Sequence, residues 1–171
     1  IPALGALIEY IKETQKIVLN HFGTLKILSD SDLLILDQSS VSNLELLKTL
    51  RTHDKKGSLT WVLDHTKTAM GSRMLKKWLL SPLRNIHEIN HRLSCVEALK
   101  KNDMLRDDIE FSLSKIYDLE RLVSKLIYGQ IFPKDFIAIK NSLSYLPQLK
   151  KTLSLFAEEE MKSIGLELDL C

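Results

Sequence analysis

Cysteine is scarce, with two in 171 residues: Cys95 inside a stretch of helical periodicity and Cys171 at the last position. So thin a supply excludes a disulfide framework and favours a reducing compartment, with the cytoplasm as the default expectation. No apolar run approaches the roughly 20 residues a membrane-spanning helix needs. Nor does a charged region followed by an apolar one open the chain, as a secretory signal would, so no membrane partner is expected. A surplus of charge is missing as well: Lys+Arg number 24 and Asp+Glu 22. Any nucleic-acid contact must then be local and cannot come from bulk charge. None of the six glycines belongs to a G-x-x-x-x-G-K-[ST] run, which excludes that phosphate cradle and nucleotide hydrolysis built on it. No fixed-period repeat, low-complexity tract or linker divides the chain in two.

What is present is an ordinary soluble balance, 44% hydrophobic and 27% charged, in a length sufficient for one domain with its own core. The chain opens Ile1-Pro2-Ala3 and stops at Leu170-Cys171, and it is expected to be an internal piece of a longer protein.

Apolar periodicity makes the chain mainly α, a multi-helical bundle with one small β-hairpin near the N-terminus. Leu4, Leu7, Ile8 and Ile11 form one stripe of a helix over 3–16. Leu25 to Leu28 and Leu33 to Leu36, separated by Ser29-Asp30-Ser31-Asp32, read as the hairpin. Asp37 to Ser40 offer N-caps for a helix that fades by Arg51, and a polar loop runs to Gly57. After a short helix over 59–63, Thr68 caps a helix turning Met70, Met74, Leu75, Trp78 and Leu79 inward, which Ser81-Pro82 ends. Asn85 caps the next, whose Ile86, Ile89, Leu93 and Val96 are expected to face the core. A helix from about Ser114 buries Ile116, Leu119, Leu122, Val123 and Leu126 and stops at Gly129. Pro133 starts another, and Pro147 starts or kinks the last, with Leu149, Leu153 and Phe156 inward.

His87-Glu88-Ile89-Asn90-His91 matches H-E-x-x-H, which on a helix sets two imidazoles one turn apart as zinc ligands, with Glu110 as a third. A zinc hydrolase is therefore an alternative to weigh. The bland reading prevails, because no strand stands ready to align a substrate and His87 and His91 flank the expected core face. Cys95 reads as a small packing residue. The basic cluster Arg73, Lys76, Lys77 and Arg84 reads as a solvated face, with a phosphate or an acidic partner as its functional alternative. A stand-alone DNA-binding module is the third class of reading.

The stretch Gly57-Ser58-Leu59-Thr60-Trp61-Val62-Leu63-Asp64-His65-Thr66-Lys67-Thr68-Ala69-Met70-Gly71-Ser72-Arg73-Met74-Leu75-Lys76-Lys77-Trp78-Leu79, followed by Pro82-Leu83-Arg84, resembles the core-domain signature of MutS-type DNA mismatch repair proteins. Leu36-Asp37 and Asn43-Leu44-Glu45-Leu46 precede it in the same order. Leu7-Ile8-Glu9-Tyr10, Ile89-Asn90-His91-Arg92-Leu93 and Asp118-Leu119-Glu120-Arg121-Leu122 extend the likeness over almost the whole chain, closest to the bacterial pattern.

The resemblance implies a core-domain fragment over 1–171: a leading-in helix over 1–24, the hairpin over 25–37, and over 38–171 a helical core with the start of the lever, cut before the DNA clamp. It implies a non-catalytic segment, with no cofactor of its own, that joins the mismatch-reading, clamp and ATPase domains of the same chain. ATP and Mg, mismatched duplex DNA, a MutL-type partner, dimerisation and a nucleoid-associated role in the bacterial cytoplasm belong to the parent protein. Phe156-Ala157-Glu158 imitates the family's F-x-E mismatch reader but lies in the wrong part of the chain. The signature positions given structural or coupling roles are Asp37, Asn43, Glu45, Asp64, Thr66, Gly71, Arg73, Trp78, Pro82, Arg84, Arg92, Asp118 and Arg121. Of these, Asp37, Asn43 and Glu45 are expected at a helix start, and the arginines suit fixed bidentate contacts.

Overall fold

The structure, a computed structural model, describes residues 2–15 and 33–169. These form nine helices: α1 Pro2–Gln15, α2 Gln38–Asn43, α3 Leu59–Leu63, α4 Ala69–Leu80, α5 Ile86–Lys101, α6 Asp103–Ser114, α7 Leu119–Ile127, α8 Pro133–Ser154 and α9 Glu159–Glu167. The mainly helical class holds.

Several helices begin where a short polar side chain satisfies a free N–H. Asp37 accepts from Ser40 N at 2.6 Å, Thr68 from Gly71 N at 2.9 Å and Asn85 from His87 N at 2.9 Å. α7 ends in a Schellman motif. Gln130 N donates to Lys125 O and Gly129 N to Leu126 O, with Gly129 at φ 67°, a conformation only glycine adopts freely.

The hairpin expected over 25–37 is not supported. Its first run, Leu25 to Leu28, lies outside the described residues. Its second, Leu33 to Leu36, forms no strand. Leu33 makes one antiparallel bridge with Leu83 and Leu34 N donates to Pro82 O at 2.7 Å, so this extended stretch is tied to the α4–α5 connection.

Helix α2 is one and a half turns long and does not reach Arg51. Leu46 N bonds back to Val41 O and Glu45 N to Ser42 O, the same Schellman pattern with Glu45 at φ 48° in glycine's place. Asn43 is thus the last residue of α2, and Glu45 lies just past its end. Neither marks a helix start, which corrects that expectation for both.

The core sits in the second half. Ala98, Leu149, Leu153, Phe156 and Met161 cluster there, with Cys95, Leu99, Leu105, Ile109, Leu113 and Ile116 packed around them. Helix α8 contacts α6, α7 and α9, and α5 contacts α6 and α9. α8 runs unbroken through Pro147, although proline removes one backbone donor there. Leu149, Leu153 and Phe156 are buried as expected, and with Ser142 buried on the other side of Pro147, side-chain burial on both flanks holds the helix together across that defect. Ile116 lies before α7, in the turn after α6.

Other faces differ from expectation. Ile86, Leu93 and Val96 of α5 are exposed, as are Met74 and Trp78 of α4 and Val123 and Leu126 of α7. On α5 the buried side belongs to Ala98, and Leu122 alone of α7 is buried.

Candidate functional site

Arg73 reaches from α4 to the first turn of α7. Its Nη1 lies 2.8 Å from Asp118 Oδ2 and its Nη2 2.7 Å from Asp118 Oδ1, the planar two-point fit a guanidinium makes with a carboxylate. Nε adds a bond to Glu120 Oε2 at 3.1 Å, and Nη2 touches the same oxygen. Asp118 also accepts from Arg121 N at 3.4 Å as the cap of α7, and Arg121 Nε stands 3.4 Å from its Oδ2 as an ion pair. The bonds from Arg73 chiefly, and that from Arg121 N, hold the Asp118 carboxyl below its ordinary pKa. The same contacts, Asp118 first and Glu120 next, fix the charge on Arg73. One acid at the cap and one in the first turn also suit the positive end of α7.

A second polar knot precedes α4. Asp64, at the end of α3, accepts from Lys55 Nζ at 2.7 Å, Thr66 Oγ1 at 2.7 Å and Ser72 Oγ at 2.9 Å. Lys55 first, then Thr66 and Ser72, keep its carboxyl ionised well below the usual carboxylate range. Gly71 stands where a Cβ would come within 3.0 Å of Thr68 Oγ1 and 3.4 Å of Thr66 Cβ. This close approach, in the first turn of α4, is to the cap of its own helix.

Between them these knots gather Asp64, Thr66, Gly71, Arg73, Asp118 and Arg121. Arg92 and Trp78 form a separate pair, the guanidinium 3.7 Å from the ring centroid, a cation–π contact. Pro82 accepts the bond from Leu34. Glu45 accepts from Leu50 N at 2.6 Å through its carboxylate and from Leu59 N through its carbonyl, fastening the loop to α3. Asn43 and Arg84 are exposed and join neither knot. Of the basic cluster, Arg73 therefore has an acidic partner within the chain.

Sequence reasoning missed Glu120, Lys55 and Ser72. Glu120 was legible as the acid in the first turn of α7; nothing in spacing marks Lys55 or Ser72 as partners of Asp64.

His87 and His91 are exposed on α5, while Glu110 pairs with Lys67 at 2.9 Å, so the supposed third zinc ligand is engaged elsewhere. No group of three or more His, Cys, Asp and Glu able to hold a metal ion occurs among the described residues. Phe156, of the F-x-E imitation, is 2% exposed and lies in the core.

The fold and these knots define a mainly helical domain whose distinctive polar groups bind one helix to another. A family profile, MutS domain III, matches residues 39–169, and the chain belongs to that family. It is 48% identical over 151 residues to the DNA mismatch repair protein MutS of Alkaliphilus oremlandii, covering 88% of this chain and 17% of that protein. The MutS of Caldanaerobacter subterraneus subsp. tengcongensis is 47% identical over 170 residues, 99% of this chain and 20% of that protein. That of Alkaliphilus metalliredigens is 47% identical over 169 residues, 99% and 19%. The chain spans about a fifth of the length of these curated relatives.

Proposed function

We propose that this segment is the structural and allosteric core of a DNA mismatch repair protein, linking its mismatch-reading, clamp and ATPase domains and carrying no chemistry itself. The parent protein binds mismatched duplex DNA in an ATP-dependent way, with ATP and Mg held outside this segment. It works as a dimer with a MutL-type partner, at the nucleoid of a bacterial cytoplasm.

The observation that carries this reading is the clamp of Arg73 on Asp118 and Glu120. It joins the signature-rich α4 to α7, and α7 packs on the long α8. A shift of α4 is then passed to the bundle as a discrete change of one ion-paired contact, the kind of two-state element through which close-packed helices transmit a rearrangement. The test is Arg73→Glu in the full-length protein. ATP turnover without DNA persists, and its stimulation by mismatched duplex falls. Full stimulation in that variant removes the coupling role.

A further inference from the structure

Helices α7 and α8 run antiparallel, with Tyr117 N donating to Ser142 Oγ at 3.0 Å at one end and Lys125 pairing with Asp135 at the other. Two hollows of about 480 and 470 Å³ lie along this seam and share Tyr117 and Asn141, so they form one groove. It follows α8 from Lys134 to Tyr145, roughly 16 Å at about 1.5 Å per residue.

The charges along the groove are unequal. Two acids line it, and both are satisfied. Asp118 is held by Arg73, and Asp135 by Phe132 N at 3.0 Å and Lys125 at 3.3 Å. Glu120, in the adjoining turn of α7, is also bound by Arg73. On the cationic side, Lys115 and Lys134 make no ion pair among the described residues, and each stands over a ring, Phe111 at 5.1 Å and Phe132 at 5.9 Å. Arg121, its side chain 77% exposed, has one ion pair, to an Asp118 already engaged. Positive charge is therefore left over at both ends of the groove and on its α7 wall. At the middle, Tyr117 is 55% exposed beside the Asn141 amide. Tyr145 follows, edge-on to Phe111 with centroids 6.4 Å apart.

We infer that this groove binds single-stranded nucleic acid, with phosphates on Lys115, Arg121 and Lys134 and a base stacked on Tyr117. Cations that track a backbone, interleaved with rings on which bases stack, are how single strands are held without regard to sequence. An acidic peptide would use the cations and leave the ring faces idle. Packed helices have axes roughly 8 to 10 Å apart, so a groove between two of them admits one strand and not a duplex. Ligand and place both differ from the mismatched duplex of the proposed function, and nothing here depends on coupling through Arg73.

The test uses the full-length protein with a short oligothymidylate carrying 5-iodouracil, irradiated with and without saturating mismatched duplex and mapped by peptide mass spectrometry. The expected cross-link falls on the peptide holding Tyr117 or Tyr145 and survives the duplex. With the duplex present, anisotropy of a fluorescein-labelled oligothymidylate should give a log–log salt slope of about −2, three phosphates at about −0.7 each. Lys115→Ala together with Lys134→Ala should reduce that slope to about −0.7. Tyr117→Ala should weaken binding about tenfold, and Tyr117→Phe, which keeps the ring, should not. Cross-links only outside α6 to α8, full displacement by the duplex, or an unchanged slope in the lysine variant overturns the inference. Equal competition by polyglutamate or by thymidine monophosphate also overturns it, since charge alone or a single nucleotide would then suffice. The cross-link map of the unsubstituted protein stands whether or not any variant folds.

Discussion

Asp118 serves two helices at once: both of its carboxylate oxygens are held by Arg73 of α4, and it caps α7 through Arg121 N. Replacing Arg73 by Lys keeps the charge and removes the two-point fit. Arg73→Lys should therefore weaken the α4–α7 contact, and Arg73→Glu should weaken it more, by setting like charges against Asp118 and Glu120. Thermal unfolding followed by circular dichroism should rank wild type above Lys above Glu. Equal midpoints for Lys and wild type would show that geometry contributes nothing.

Asp64, Asp118 and Asp135 all have carboxyl pKa values held below the ordinary range, by Lys55, by Arg73 and by the Phe132 N–H respectively as the leading causes. A carboxyl depressed in the folded state stabilises fully above its unfolded pKa of about 3.9 and loses that contribution as pH falls through the folded value. Stability should accordingly be flat from neutral pH to about pH 5 as regards these groups and decline below about pH 4. Asp64→Asn should flatten part of that decline in an acid titration of the unfolding midpoint. An unchanged slope would mean that the Asp64 knot is not what acid disrupts.

The caps of α4 and α5 and the glycine stop of α7 were legible because each is a local event: Thr68, Asn85 and Gly129 act within three or four residues of themselves. Helix α6 was missed although Leu105, Ile109 and Leu113 recur every four residues. Its start, Asn102-Asp103, makes no side-chain cap bond, and its first turns are rich in charge. Helix α9 is short, and Pro147 suggested a break that burial of Leu149 and Leu153 overrides. On α5 the periodicity was real and the choice of face was wrong, since two apolar sides are indistinguishable until a neighbour covers one. The signature residues were found by resemblance. The meeting of Arg73 with Asp118, 45 residues apart, was not legible from spacing.

Gly71 and Thr68 should show a reversal of sign. Thr68→Ala removes the cap of α4 and costs about 1 kcal/mol. Gly71→Ala alone should destabilise despite the roughly 1 kcal/mol that helix propensity offers, because its Cβ would sit 3.0 Å from Thr68 Oγ1. In the Thr68→Ala background that obstruction is gone and Gly71→Ala should become stabilising. Identical effects in both backgrounds, measured by denaturant unfolding, would show that the close approach is immaterial.

Gly129→Ala meets no atom within 4 Å, so its cost is conformational alone, about 1 kcal/mol from the positive φ. Phe156→Ala, which empties the centre of the core, should cost about 3 to 5 kcal/mol. Chemical denaturation of the two variants distinguishes them. A Phe156→Ala cost near that of Gly129→Ala would mean the core at the α8–α9 turn is not closely packed.

The central claim is that Arg73 and Asp118 act as one element in coupling. A double-mutant cycle in the full-length protein, with Arg73→Ala, Asp118→Ala and the pair, read as stimulation of ATP turnover by mismatched duplex, tests it most directly. The account predicts that each single substitution lowers stimulation and that the double does little further harm, with turnover in the absence of DNA retained throughout. Losses that simply multiply, or stimulation at the wild-type level in either single variant, would contradict it.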